Sequence, residues 1–574
     1  MGVIQIIINN KKISVPEGIT ILEAAKSIGI KIPTLCYHPD QFIKANCRVC
    51  IIEVEGSSLL PSSCSTLVSP NLVIRTNSAR VLEARKINIE LLLANHDADC
   101  LVCHRNLNCE LQHISTQSGI RTNRFESVLD MKEIDASSLS IVRNPNKCVK
   151  CGRCVEICSE VQGLNILENV GRSNNMQVLP AFGRYLSDVA CVSCGQCSTV
   201  CPVAAIYEKE EIDNVWEAIN NPDLHVIVQT APAVRVSIGE EFGMEPGTIS
   251  TGKLVAALGR LGFDKVFDTD FTADLTIIEE GHELLHRIQN GGVLPMITSC
   301  SPGWINFIEQ YYPDLLPHVS SCKSPQQMFG ALAKSYYAEM AGIDPSRIFA
   351  VSIMPCTAKK YEAKRPEMSI NGRNQDVDAV LTTRELGRMV RQAGIDFAKL
   401  PEETYDDPFG ITTGAGVIFG ATGGVMEAAL RTVYEVVTGK TLESIEFHAV
   451  RGLGGIKEAE VDLNGLKVKV AVVHTLINAA KILDKIRDGS CNYHFIEVMC
   501  CPGGCIGGGG QPPTTNEIRE KRIAATYQAD RDMPLRKSHK NPAVAKLYED
   551  FLIKPLGERS HKLLHTKYVN RKKN

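Results

Sequence analysis

The chain has 574 residues, 44% of them hydrophobic, and a formal charge of −3 from 62 basic and 65 acidic side chains. That length accommodates about three or four domains with a substantial core. The balanced charge offers no basic face for nucleic acid, and no uninterrupted apolar run of about 18 residues offers a spanning helix, so neither nucleic-acid binding nor membrane insertion is expected. The distinguishing feature is 22 cysteines. Met1-Gly2-Val3-Ile4 opens without a basic n-region, and the cysteine spacings are metal-like, so reduced thiolates in a cytoplasmic protein are expected rather than disulfides.

In chain order, Ile4, Ile6 and Ile8 alternate before Asn9-Asn10-Lys11-Lys12, a hairpin pattern. A helical stretch over 21–28 leads to Cys36, Cys47, Cys50 and Cys64, spaced C-x10-C-x2-C-x13-C. Four thiolates in such a loop can hold a two-iron cluster, although plant-type ferredoxins have a shorter first gap. A helix over 87–95 delivers His96, followed by Cys100, Cys103 and Cys109. One imidazole and three thiolates suit zinc as well as iron, and spacing alone leaves both open. Next come Cys148, Cys151, Cys154 and Cys158, then Cys191, Cys194, Cys197 and Cys201 before Pro202. This doubled C-x2-C-x2-C-x3-C run is that of bacterial two-cluster ferredoxins, in which the fourth cysteine of each run serves the other cluster. Cys148, Cys151, Cys154 and Cys201 then form one set, and Cys191, Cys194, Cys197 and Cys158 the other.

From about residue 211 the pattern changes. Short apolar strands at 226–228, 293–298, 348–354, 379–381 and 470–474 alternate with helical stretches, which predicts parallel sheets covered on both faces. Ligands in such folds gather beyond the carboxyl ends of strands, and Cys300 and Cys356 lie just past two of them. No phosphate loop occurs, and Gly414, Gly416 and Gly420 only approximate a dinucleotide fingerprint.

Three segments stand out: Thr298-Ser299-Cys300-Ser301-Pro302-Gly303-Trp304, Met354-Pro355-Cys356-Thr357-Ala358-Lys359-Lys360, and Glu497-Val498-Met499-Cys500-Cys501-Pro502-Gly503-Gly504-Cys505 running into the glycines at 507–510. In this order, downstream of a ferredoxin module, they resemble the three signature motifs of the iron–iron hydrogenases. The first two cysteine sets resemble the N-terminal domains of these enzymes and of complex I's large iron–sulfur subunit, and the closing 60 residues resemble the segment that wraps the hydrogenase catalytic domain. Of that tail, only Arg571-Lys572-Lys573 reads as a solvated basic end.

The resemblance implies a hydrogenase that interconverts dihydrogen with protons and electrons. Its cofactors would be one 2Fe-2S cluster, three accessory 4Fe-4S clusters and an H-cluster: a 4Fe-4S cubane joined to a two-iron unit carrying CO, CN and an aza-dithiolate. It assigns the His96 set to a four-iron cluster. Cys356, Cys501 and Cys505 map onto cubane ligands, Lys359 onto a cyanide contact, Met354, Phe419 and Met499 onto walls of the open iron site, and Pro232 onto the dithiolate. Ala233 replaces a serine of relatives. In the first motif the common form has two adjacent cysteines, a proton relay and then a ligand. Here Cys300 and Ser301 occupy those places, and either could ligate while the other relays. Glu280, Glu283 and Ser320 match relay groups, with Arg287 paired to the outer glutamate.

The Cys-Ser variant is similar to catalytic subunits of NAD(P)-linked, electron-bifurcating hydrogenases, which implies flavin- and NAD(P)-binding and small iron–sulfur partner subunits. A stand-alone enzyme served by ferredoxin is the alternative. A hydrogen sensor and a complex I-like electron-transfer subunit are remoter ones. Hydrogenase maturation enzymes would install the two-iron unit. The expected architecture is an α/β catalytic domain of two doubly wound parallel-sheet halves over 211–515. Before it come α+β iron–sulfur domains over 1–80 (two-iron), 81–125 (one histidine and three cysteines) and 126–210 (two-cluster), and after it a wrapping segment over 516–574.

Overall fold

The structure, a computed structural model, describes residues 2–573 apart from 370, 371, 373 and 443. Strands Val3–Ile8 and Lys11–Pro16 pair antiparallel across Asn9-Asn10, both at positive φ (48° and 68°). That turn matches the twist of the strands, and asparagine tolerates it. Val73–Arg75 adds to Val3–Ile8 in parallel, and Glu53–Val54 adds antiparallel beyond it. Thr20 and Glu23 form a capping box on helix Ile21–Ser27, which packs Ile21, Ala24 and Ala25 with Ile6, Ile8 and Val15. The cysteine loop hangs from this small core. It is tied down by Arg85, whose guanidinium donates to the carbonyls of Val49 and Ile51, both at 3.0 Å.

Helix Ala79–Ala94 is longer than the predicted 87–95 because Ser78 caps it earlier, and it ends at Asn95 just before His96. The two-cluster unit closes on itself where Ile141–Arg143 and Ile206–Glu208 pair antiparallel, so its first and last strands are neighbours. The extra length between its cysteine runs forms a small hairpin of Glu168–Val170 with Gln177–Leu179.

In the catalytic region one sheet has the order Lys265–Asp268, His225–Thr230, Ile348–Met354, Ala379–Thr382, all parallel. The other has the order Met296–Ile297, Phe495–Met499, Leu466–His474, Ile456–Leu463. Its first three strands are parallel, but Ile456–Leu463 runs antiparallel to Leu466–His474. The expectation of two wholly parallel halves is therefore corrected: the second half is mixed. The turn at Asn464-Gly465 (φ 55° and 90°) folds this edge hairpin, and an Asn-Gly pair between alternating residues was its signal in the sequence. The strand expected at 293–298 shrinks to Met296–Ile297, preceded by Pro295, which has no N–H to give a ladder. Carboxyl ends of both sheets converge, bringing together Thr230, Thr298, Met354 and Met499.

The C-terminal segment runs through helices Asn516–Asp532, Pro542–Leu547 and Glu558–Leu564 over the catalytic region. Of its last basic residues, Lys572 and Lys573 are exposed as expected of a solvated end, yet Arg571 and Lys573 also make contacts. Arg571 pairs with Glu367 at 2.8 Å, and Lys573 donates to the carbonyls of Ser187 and, at 2.9 Å, Val189. Farther in, Arg431 is fully buried between Glu427 (2.7 Å) and Asp530 (2.9 Å). Removing one partner of a buried ion pair costs about 3–5 kcal/mol. Asp530→Ala should accordingly lower the midpoint of anaerobic thermal unfolding sharply, whereas Lys399→Ala, at an exposed i,i+3 pair with Asp396, should leave it nearly unchanged.

Candidate functional site

The cysteines meet in separate cradles. Cys148, Cys151, Cys154 and Cys201 line a cavity of about 240 Å3, and Cys158, Cys191, Cys194 and Cys197 line a smaller one of about 30 Å3. Each fourth cysteine has thus crossed to the other run. Burial, then neighbouring thiols, pushes Cys151 up to about 12 and raises Cys154 and Cys197 well above the ordinary thiol value. Thiols packed in this way resist ionising together unless a cationic centre compensates them, and soft thiolates suit iron–sulfur clusters. In the first domain Cys50 and Cys64 lie 3.3 Å apart, and the neighbouring Cys47 thiol lowers Cys36 to about 5.

His96 has a buried Nδ1 without a hydrogen-bond partner, and burial lowers its imidazole to about 4, which keeps it neutral. Among the described residues, no three ligand atoms of any of these cysteine and histidine sets lie within 4.8 Å of one another.

A further cavity of about 80 Å3 sits where the two sheets converge. Cys300, Ser301, Cys356, Cys501 and Cys505 line it, with Pro232, Met354, Phe419, Met499 and Lys359. Ala233 is not among the lining residues. Its side chain is buried, and its carbonyl accepts from Ser237 Oγ (2.9 Å) and Gln511 Nε2 (3.2 Å). Lys359, on helix Ala358–Ala363, donates from Nζ to Glu362 (2.8 Å) and to the carbonyl of Cys300 (3.2 Å). Glycine is required behind the cradle: a Cβ on Gly508 would lie 2.1 Å from the Pro355 carbonyl, and one on Gly509 2.2 Å from that of Cys194.

Cys300 and Ser301 face different neighbours. The charges felt at the Cys300 thiol come from Glu280 and Cys505, and with burial they raise it well above the ordinary value. Ser301 Oγ accepts from the Cys500 N–H at 3.2 Å. The Cys500 thiol lies within hydrogen-bond reach of both Cys194 and Cys501, bridging the two cradles.

Sequence reasoning passed over three side chains here. Gln326 lines the cavity with a buried, unpartnered Oε1. Glu362 holds Lys359, and Gln196 donates to the Gly507 carbonyl at 2.8 Å. Only Ser324-Pro325-Gln326, a helix start, could have drawn attention to the first.

From the cavity a polar file leads outward. Helix Thr269–Gln289 carries Glu280 and Glu283 on one face. Glu283 accepts from Ser320 Oγ at 2.9 Å and pairs with Arg287 at 2.6 Å. Glu280 is buried with Oε1 unpartnered, and burial and then Glu283 push it up to about 8 from 4.5. A carboxyl raised this way stays protonated when folded while its unfolded counterpart ionises, so stability falls as pH rises from about 4.5 to about 8. Glu280→Gln should flatten that part of the stability–pH curve, measured by anaerobic denaturation. Cys158→Ser should remove about four irons and one reduced-cluster EPR signal while leaving the Cys148 set loaded.

Comparison with known proteins supports the same picture. Residues 224–509 match the family described as iron only hydrogenase large subunit, C-terminal domain, and 516–571 match iron hydrogenase small subunit. Residues 2–79 match a 2Fe-2S iron–sulfur cluster binding domain, 85–124 the iron–sulfur binding region of NADH-ubiquinone oxidoreductase-G, and 147–205 a 4Fe-4S dicluster domain. The NADP-reducing hydrogenase subunit HndD of Solidesulfovibrio fructosivorans is 51% identical over 100% of both chains. Iron hydrogenase 1 of Clostridium pasteurianum is 44% identical over 98% of this chain and 99% of its own. A variant of the apo [FeFe]-hydrogenase HydA1 from Chlamydomonas reinhardtii superposes with a TM-score of 0.58 at 45% identity, covering 63% of this chain and 100% of its own. With full-length identity of this order joined to the thiol cradles, the chain belongs to the iron-only hydrogenase family, oxidoreductases acting on hydrogen.

Proposed function

We propose that this chain is the hydrogen-converting subunit of an NAD(P)-linked, multi-subunit hydrogenase. The observation that carries the reading is a buried cavity in which Cys356, Cys501 and Cys505 converge, met on one side by a thiol-lined wire and on another by a carboxylate file. In this reading Cys36 and Cys47, Cys50 and Cys64 hold a two-iron cluster in two pairs. His96, Cys100, Cys103 and Cys109 hold one four-iron cluster, and the crossed sets hold two more. Cys356, Cys501 and Cys505 hold the cubane of the H-cluster, with Ser301 or Cys300 completing it. The boundaries 1–80, 81–125, 126–210, 211–515 and 516–574 follow from these sets.

When bound, the H-cluster supplies redox-active iron with an open position for hydrogen. The chain's own residues supply the rest. Met354, Phe419 and Met499 exclude water from the cavity, and Lys359, steadied by Glu362, presents a fixed positive charge to an anionic group. Protons pass between the Cys300 thiol, Glu280, Ser320 and Glu283. Glu280, at about 8, releases and regains a proton close to neutral pH, as a relay must. Arg287 fixes the outer carboxylate. The placement of Cys300 toward Glu280, and of Ser301 toward the Cys500 loop, favours Cys300 as relay.

Electrons arrive through the N-terminal clusters. Leu101, Val102 and Leu107 are largely exposed beside Cys100 and Cys103, apolar side chains that suit a docked protein. The likeness to a subunit of an NADP-reducing hydrogenase favours flavin- and NAD(P)-binding and small iron–sulfur partners over free ferredoxin. None of the described helices is long and apolar enough to cross a membrane. Maturation enzymes would load the two-iron unit.

Hydrogen evolution from reduced methyl viologen by anaerobically matured protein tests the reading. Rapid turnover is expected, together with infrared bands of bound carbon monoxide and cyanide; bands without turnover would point to a hydrogen sensor. Glu280→Gln should lose about 100-fold or more in rate with those bands intact. Cys300→Ala should likewise keep the cubane signal and lose activity, and loss of the cubane itself would make Cys300 the ligand.

A further inference from the structure

The relay carboxylate Glu283 has a second environment. Its two oxygens divide the neighbourhood: Oε1 faces the Arg287 guanidinium, while Oε2 lies 4.0 Å from the Cys322 thiol. The same thiol lies 4.0 Å from Nδ1 of His565, brought over by the C-terminal segment. One ligand atom each from Glu283, Cys322 and His565 lies within 4.8 Å of the others, and all three residues are buried. Among the described residues this is the one group of three spaced for a single ion.

The outer partners suit an ion too. His565 Nε2 meets the Glu279 carboxylate at 3.1 Å. A carboxylate accepts, so Nε2 carries the hydrogen and Nδ1 turns its lone pair toward Cys322 and Glu283, the arrangement that orients and strengthens a histidine ligand. Glu279 is itself held by Tyr548 and, at 2.9 Å, by the Leu556 N–H. Ser321 Oγ, 2.9 Å from Nδ1 and 3.1 Å from Oε2, now bridges the two and is placed to become a fourth ligand. Backbone pairing of Cys322 with His565, and the Lys323 N–H on the Leu564 carbonyl at 2.7 Å, fix the two ligand-bearing segments together.

We propose that Glu283, Cys322 and His565 form a site for a borderline-soft divalent cation, zinc above all, seated on the outer end of the proton route. One carboxylate, one thiolate and one neutral imidazole balance a doubly charged ion, and this mixed donor set suits zinc better than magnesium or calcium. The thiol proton leaves to solvent as the metal–sulfur bond forms, with no change of oxidation state. Because the metal takes the Glu283 oxygen that Ser320 contacts, metal binding and proton transfer exclude one another. This last step rests on Glu283 acting as relay; the site itself does not.

The test is Zn2+ titrated into the holoenzyme, followed by zinc K-edge absorption, which the iron clusters do not obscure. The expected result is about one zinc per chain with one sulfur at about 2.3 Å and nitrogen or oxygen at about 2.0–2.2 Å, and inhibition of hydrogen evolution in step with occupancy. Cys322→Ala and the closer-fitting Cys322→Ser should evolve hydrogen as the parent does in metal-free buffer, and should raise the zinc concentration for half-inhibition by about tenfold or more. Zinc bound without a sulfur neighbour, or inhibition equal in parent and both variants, would overturn the site. Sulfur-ligated zinc that leaves turnover intact would keep the site and overturn Glu283 as the relay.

Discussion

The constraint on which the architecture depends is the burial of thiols in convergent groups. A thiolate in an apolar cradle is costly, and several together repel one another. Cys154, Cys197 and Cys356 all show this in thiols raised far above their ordinary value. Only a positively charged, soft partner repays that arrangement, so the cradles select iron–sulfur clusters and hold them away from water. The surrounding elements serve to bring distant cysteines to one point while keeping their own backbone satisfied.

In the catalytic region two sheets solve this by converging. Their strands end at Met354 and Met499, which both line the cavity, and Cys356 and Cys501 each follow two residues later, so a rigid sheet edge fixes those two thiols. The join between this cavity and the nearest accessory cradle depends on backbone contact. Gly509 lies against the Cys194 carbonyl, and the Gly195 Cα stands where a side chain would strike Thr357. Ser198 and Arg384 seal the same seam, Arg384 reaching the Gly509 carbonyl at 2.9 Å and the buried Glu208 at 2.6 Å. Cys194 lines both this cavity and the nearest accessory cradle, with Cys500 and Cys501 beside it in the former. Short separation between redox centres is thus a packing property of two glycines.

The proton side is organised by helix Thr269–Gln289 and by the C-terminal segment. The helix spaces Glu280 and Glu283 by about one turn on one face, with both buried and Glu283 held by Arg287. Glu279, on the neighbouring face, reaches instead to His565 and Tyr548. The segment that wraps the domain therefore does more than cover apolar surface: it places the His565 imidazole beside Glu283, where Cys322 also stands.

The sequence by itself determined the chemistry. Cysteine spacing within a loop is local, so the crossed sets around Cys158 and Cys201, the shared helix face of Glu280 and Glu283, and the motif cysteines Cys356, Cys501 and Cys505 were legible as strings of residues. The first hairpin and its capped helix were legible for the same reason, since turn and cap chemistry act over four residues. Tertiary structure decided what depends on residues far apart in the chain. The antiparallel edge strand at 456–463, the burial of Ala233, the unpartnered Oε1 of Gln326 and the contacts of Arg571 and Lys573 belong here. So do the neighbours that distinguish Cys300 from Ser301. The meeting of Glu283, Cys322 and His565 joins residues more than 240 positions apart. No local periodicity encodes such a contact; packing of the C-terminal helices against the catalytic region creates it.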